Sequence, residues 1–301
     1  MMQSTKCMKK IILKEQLPKL ITFDAYNTLY ATNLPVLAQY SMVGKLYNIT
    51  TDPNELIKSF PKVFDKLRED HPNYGKTTGI SAYEWWSILI KNIFKPAEVP
   101  DKMVDDILNR FNGENAYTVY HDVFEILDLI KEKYPNIIVA IISNTDPLVY
   151  DLLKNLDLYK YFEGNIYLSY DIELHKPDAA FFDHCIGQIM KKHFPFINDD
   201  QLNEFKKSCW HIGDEAIKDM EGAANAGLNS ILLDRIDKYN YLTCNRAKND
   251  RDEHNLSIDK VNANFNLMWD ESIKKSKIIQ LSEKTYVSSN LRNVRQLLFN
   301  E

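Results

Sequence analysis

The sequence predicts an α/β protein: a doubly wound parallel sheet with a helical cap inserted after its first strand. Three observations carry this. Short β-type apolar runs alternate with helical segments. More than a hundred residues separate the first run from the second, far beyond an ordinary crossover. The runs also end in polar residues rich in aspartate, serine and asparagine, where an open α/β sheet keeps its binding crevice.

The strand candidates, in order, are Leu20 to Phe23, Ile137 to Ile142, Ile166 to Ser169, Cys209 to Ile212 and Ser230 to Leu233. Between them Pro147 to Leu156, Ala179 to Lys192 and Ala216 to Ala226 have helical length and apolar spacing. They supply the right-handed crossovers that parallel strands need. Four segments with helical apolar spacing fill the long gap: Val36 to Leu46, Asn54 to Leu67, Ala82 to Phe94 and Lys102 to Phe111. Pro53 and Ser81 stand where helices begin. The division that follows is a flexible leader at 1–19, a core built from 20–32 and 121–301, and a helical cap at 33–120. Residues 245–275, highly charged and then rich in asparagine and lysine, read as a surface excursion within the core segment. Periodicity returns at Val294 to Leu298, a closing helix. Trp85 and Trp86, within the cap, read as packing residues.

A chain of 301 residues, 45% hydrophobic and 26% charged, has the composition of an ordinary soluble globule. A net charge of −5 gives no bulk electrostatic reason to bind nucleic acid or anionic lipid. No apolar run approaches the roughly 20 residues of a membrane-spanning helix. The cysteines, Cys7, Cys185, Cys209 and Cys244, form no C-x-x-C pair, which argues for reduced thiols in an intracellular compartment. The expected location is cytoplasmic, nuclear or both. The lysine-rich first 20 residues leave mitochondrial import as an alternative, though they contain no arginine. Oligomeric state is not legible.

The first strand ends in Phe23-Asp24-Ala25-Tyr26-Asn27-Thr28-Leu29 and the second in Ser143-Asn144-Thr145-Asp146. His175-Lys176-Pro177-Asp178 follows the third, and Gly213-Asp214, then Asp219, follow the fourth. Taken singly, each has a plainer reading. Ser143 and Asn144 would make a turn or helix cap, Lys176 a solvated charge, and Asp214 a strand terminus. His175 and His211 have no partner that spacing identifies, so structural or solvent-facing roles are expected. The coincidence of the others at successive strand ends points to one site.

In order and spacing, these motifs resemble the four motifs of the haloacid dehalogenase superfamily, over about residues 20 to 236. Within it, His71-Pro72-Asn73-Tyr74-Gly75 followed by Trp85-Trp86 is similar to the branch called haloacid dehalogenase-like hydrolase domain-containing protein 3. The resemblance implies a Rossmannoid core and a hydrolase that acts through an aspartyl-phosphate. Aspartate can attack a phosphate dianion only if that charge is neutralised, so the nucleophile needs a metal and a cation beside it. Asp24 is then the nucleophile and Lys176 the cation. Asp24, Asp214 and Asp219 are the metal set, with Asp219 either a ligand or a supporting partner. The metal expected is magnesium, which takes hard oxygen ligands and keeps several waters, and the main-chain carbonyl of Tyr26 could complete them. Ser143, Asn144, Lys176 and Thr28 are the expected phosphate-binding residues, with Thr28 also orienting its loop. The partner is a small phosphorylated molecule.

One position departs from the pattern. Active phosphatases of the superfamily carry a second aspartate two residues after the nucleophile, to protonate the leaving oxygen and then activate water. Here that position is Tyr26. A phenol, with a reference pKa of about 10, can donate a proton but is a poor base near neutral pH. Weak or absent turnover is therefore expected, with Asp146 a remote substitute. Two alternatives stay open: a non-catalytic binding or scaffold protein, and a 2-haloacid dehalogenase, whose first motif DAYNTL also resembles. Against the dehalogenase stands the acidic pair Asp214 and Asp219, which that chemistry does not need.

Overall fold

The computed structural model describes residues 17–194, 199–243 and 264–301. Nine strands occur among them: β1 (Leu20–Phe23), β2 (Tyr30–Thr32), β3 (Tyr117–Val119), β4 (Ile138–Ser143), β5 (Ile166–Leu168), β6 (Cys209–Gly213), β7 (Asn229–Leu233), β8 (Ile278–Gln280) and β9 (Thr285–Ser288). Seven form one sheet in the order β5-β4-β1-β6-β7-β9-β8, all parallel except the β8–β9 pair. β1 lies between β4 and β6, so the chain winds outward from it in both directions. That arrangement brings the ends of β1, β4 and β6 side by side.

Every residue of β1 is buried, as expected for a strand covered on both faces. Ile21 and Phe23 pack into one apolar cluster with the helices His121–Lys133 and Leu291–Phe299. Leu20 packs into another on the opposite face, with the helix Ala179–His193. Burying each such aliphatic or aromatic side chain is worth about 1.5–3 kcal/mol, so the sheet core dominates stability.

The helices Val36–Lys45, Pro53–Asp70, Ala82–Ile93 and Asp101–Arg110 occupy the long gap and bury an apolar cluster of their own around Trp85 and Phe94. Ser81 begins the third with a capping box shared with Glu84, and Asp52 caps the second ahead of Pro53. β2 and β3, an antiparallel pair that the apolar pattern does not announce, lead into and out of this helical module.

Other differences from the sequence reading are local. Ala216–Glu221 is a π-helical turn followed by the short helix Gly222–Asn225, not one continuous helix. The excursion expected at 245–275 lies outside the described residues up to 263. Its last part is instead the helix Phe265–Lys274, which begins at an Asn264 cap and buries Phe265 and Met268 against the core. Of the leader, only Leu17, Pro18 and Lys19 are described. Lys19 already pairs with the sheet, its N–H donating to Ser208 O and its carbonyl accepting from Ile138 N.

Candidate active site

Asp24 follows directly on β1, Ser143 ends β4, and Gly213 ends β6 with Asp214 next in the chain. The parallel register makes these loops neighbours. Asp24 Oδ1 accepts from Ser143 Oγ at 2.9 Å and from Lys176 Nζ at 2.7 Å. Its other oxygen carries no hydrogen bond among the described residues. Lys176 Nζ also donates to Asp219 Oδ1 at 2.6 Å and to the carbonyl of Ile142 at 2.9 Å, so all three ammonium protons are used inside the protein. Lys176 is 2% exposed, which overturns the solvated-charge alternative.

One carboxylate oxygen from each of Asp24, Asp214 and Asp219 lies within 4.8 Å of the others. The Lys176 ammonium pairs with two of these three, Asp24 and Asp219. Burial by itself pushes the Lys176 ammonium down, but the charges of Asp219 and Asp24 outweigh it and hold it above the ordinary lysine value. Burial likewise opposes ionisation of Asp219, and Lys176 and His211 overcome it, leaving that carboxyl far below the usual range.

Asp219 is more heavily engaged than a simple ligand. Oδ1 takes Lys176 and lies 3.1 Å from His211 Nε2, and Oδ2 accepts from Glu215 N at 2.8 Å. The carboxylate sits so close under Gly213 that a Cβ there would come within 2.2 Å of its Cγ, which is why glycine is needed before Asp214. His211 is fully buried, and burial pushes its imidazole below the ordinary value despite the pull of Asp219. A neutral ring with the proton on Nε2 donates to Asp219 and accepts from Thr22 Oγ1 at Nδ1, 2.8 Å away. This partner of His211 escaped the sequence because β1 and β6 meet only in the sheet.

Asn144 does not aim its amide at the cleft. Its Nδ2 donates to the Lys176 carbonyl at 2.9 Å and its Oδ1 accepts from Lys176 N at 2.8 Å, clamping the lysine loop to the serine loop. The side-chain amide is thus engaged in positioning the lysine loop. Thr28 Oγ1 is buried without a partner, while the Thr28 carbonyl accepts from Arg235 Nη2 at 3.2 Å. Arg235 is itself buried, paired through both terminal nitrogens with Asp122 at 3.0 Å and lying 3.6 Å over the Tyr120 ring. It braces the Asp24–Leu29 loop, a role with no motif to reveal it. In that loop Asn27 adopts a left-handed φ of 61°, a conformation asparagine tolerates better than most residues.

Tyr26 packs its ring at 6.2 Å from both Tyr30 and Tyr117. His175 is exposed and outside the cluster. From the cap, Trp86 Nε1 donates to Asp146 Oδ2 at 2.8 Å, and Tyr74 Oη donates to the carbonyl of Asn144 at 3.3 Å. Lys76 Nζ reaches the carbonyl of Tyr170 at 2.8 Å. The cap thus closes directly on the loop that carries Ser143. Trp85, fully buried, is a core residue as expected.

A parallel α/β core, an inserted helical cap and a rim that joins aspartates to a buried lysine together define a capped hydrolase scaffold. Residues 18–227 match the family of haloacid dehalogenase-like hydrolases, and the chain belongs to it. It is 48% identical over 280 residues to the Saccharomyces cerevisiae protein YMR130W, covering 93% of each chain. It is 22% identical over 220 residues to mouse haloacid dehalogenase-like hydrolase domain-containing protein 3, covering 71% of this chain and 81% of that one. Among solved structures it is similar to Bacillus subtilis YfnB bound to magnesium, with a TM-score of 0.56 at 13% identity over 94% of this chain and 99% of that one. At that identity the likeness shows the fold. No helix among the described residues is long and apolar enough to cross a membrane.

Proposed function

We propose that this chain binds magnesium and a small phosphorylated ligand between core and cap, and that its phosphohydrolase turnover is limited by Tyr26. The observation that carries this is the placement of Ser143 and Lys176 on one oxygen of Asp24, with two further carboxylates within 4.8 Å. The donor set fits the metal. Three carboxylates that each offer an oxygen within 4.8 Å of the others are the hard-oxygen set that magnesium prefers. Asp24 and Asp214 would hold the ion, and Asp219, already spent on Lys176, His211 and a backbone N–H, would support them. Bound there, magnesium supplies charge neutralisation for an incoming phosphate.

Asp24 is the group to attack phosphorus. Ser143 and Lys176 fix its carboxylate, and Lys176 offsets the charge that nucleophile and phosphate bring together. The aspartyl-phosphate then has to be hydrolysed. Tyr26 can give a proton to the leaving oxygen, but near neutral pH it cannot take one from water. Tyr26 equally favours a second reading, a binding protein that keeps the pocket without turnover.

A panel of phosphorylated metabolites assayed with and without magnesium, with acid-quenched samples analysed for aspartyl-phosphate on Asp24, separates the readings. Slow magnesium-dependent release with accumulated phospho-enzyme is the expected result. Ligand binding without any phospho-enzyme would favour the binder. Halide release from 2-haloacids without magnesium would instead make the chain a dehalogenase.

A cation that binds only the folded state stabilises it. Millimolar magnesium is therefore expected to raise the melting temperature of the parent by several degrees, roughly 2–4 °C per kcal/mol for a chain of this size. Asp214→Asn should lose most of that gain. Equal melting temperatures with magnesium and with chelator would show that the site takes no metal.

A further inference from the structure

Asp146 is a buried carboxylate that the proposed chemistry does not use. It is 4% exposed and accepts from neutral donors, Trp86 Nε1 and Leu148 N, each at 2.8 Å. Asp24, Asp122 and Asp219 each face a buried lysine or arginine; Asp146 makes no ion pair among the described residues. Burial pushes its carboxyl up against the pull of those donors and of its own backbone N–H, so its charge is held at a cost.

Its surroundings are aromatic. Burial chiefly holds the Tyr30 and Tyr117 phenols above their ordinary values; Asp24 and Tyr26 add to this for Tyr30, and Tyr26, Tyr30 and Tyr40 for Tyr117, with Asp146 the smallest contribution to each. Tyr30 and Tyr117 pack edge to face at 5.4 Å, Tyr26 adjoins both, and Tyr74 lies 6.1 Å from Trp86 on the cap side. Tyr26, Tyr74, Trp86 and Tyr117 are all partly accessible, and Tyr74 and Trp86 reach from the cap to the core loop that carries Asp146. Asp146 lies three residues beyond Ser143, which places it within about 11 Å of it along the chain, a span that a short phosphate ester can bridge.

We propose that Asp146 and the rings around it form a subsite for a cationic leaving group, so that the ligand is the phosphate monoester of a small amino alcohol. A ligand ammonium would meet the charge that Asp146 lacks and lie against the faces of tyrosine and tryptophan, which attract cations. The metal end would hold the phosphate and the aromatic end the ammonium. A neutral alcohol of the same shape would leave the carboxylate unpaired. The inference rests on the phosphate-site reading above for the phosphate end alone.

The test is calorimetric and needs no turnover. The full chain with magnesium is titrated with phosphocholine and with 3,3-dimethylbutyl phosphate, in which carbon replaces the quaternary nitrogen. Choline, 3,3-dimethylbutanol and inorganic phosphate are titrated separately. Phosphocholine is expected to bind about tenfold or more tightly than its carbon isostere, as for other charge-assisted contacts. Asp146→Asn should remove that advantage and leave the isostere's affinity unchanged. Trp86→Phe, which keeps a ring and frees the carboxylate of its indole donor, should retain it. Equal affinity for the two esters in the parent, or an advantage that survives Asp146→Asn, overturns the subsite, as does its loss in Trp86→Phe. Failure of inorganic phosphate to bind would overturn the phosphate site instead, and choline against 3,3-dimethylbutanol would then decide the subsite alone.

Discussion

Tyr26→Asp is expected to raise phosphoester turnover by about 10²- to 10⁴-fold, the usual worth of general acid and base assistance. It returns an ionisable carboxyl group to the place, two residues after Asp24, from which a leaving oxygen can be protonated and water activated. Main-chain and arginine contacts also hold the loop around it. Leu29 N donates to Ala25 O at 2.8 Å, Asn27 N to Tyr30 O at 2.7 Å, and Arg235 holds the Thr28 carbonyl. The substitution does remove a ring that packs against Tyr30 and Tyr117, so some stability is lost. Melting curves with and without magnesium must accompany the assay. A variant that folds, responds to magnesium and is no more active than the parent across a broad phosphoester panel would show that acid–base chemistry is not what limits this protein. The binding reading would then lead.

Lys176→Met is expected to cost about 3–5 kcal/mol of folding stability, because it leaves Asp24 and Asp219 buried without their cation. The sign of its pH dependence follows from the shifts. Asp219 is depressed in the folded chain, so the stability it contributes is present above the unfolded carboxylate value of about 3.9 and lost as pH falls through the folded one. Lys176 is raised, so its contribution is present below the unfolded value of about 10.4 and lost as pH rises through the folded one. In the parent the pair is thus constant across the neutral range. In the variant the orphaned carboxylates favour protonation, and the gap to the parent should narrow as pH falls below about 5. Urea unfolding of both proteins at neutral and acid pH measures this. A deficit under 1 kcal/mol at neutral pH, or one independent of pH, would mean that the buried triad is not ionised as described. Magnesium, a second source of positive charge, should restore part of the loss.

The strands β1, β4, β5, β6 and β7 were readable because parallel strands covered on both faces leave unbroken apolar runs, and the order of those runs implies their crossovers. The four cap helices were readable from their spacing and from Pro53 and Ser81 at their starts. β2, β3, β8 and β9 were not, since each is only three or four residues long and stands outside the strand–helix alternation that marks β1 and β5. The same limit hid the break between the π-helical turn and the helix that follows it.

For the site, the sequence by itself determined which residues stand at the strand ends, and so the membership of the cluster: Asp24, Ser143, Lys176, Asp214 and Asp219. It also determined that Tyr26 stands two residues after Asp24, since that is a matter of neighbours in the chain. Only the tertiary structure decided how the charges are shared. Lys176 lies 152 residues from Asp24 and 43 from Asp219, and His211 lies 189 from Thr22. Arg235 supports the Thr28 loop across 207 residues, and Trp86 meets Asp146 across 60. Such pairings depend on which strands lie side by side and on how the cap closes. A local pattern carries no trace of them, because their energy comes from burial and direction in space rather than from adjacency in the chain.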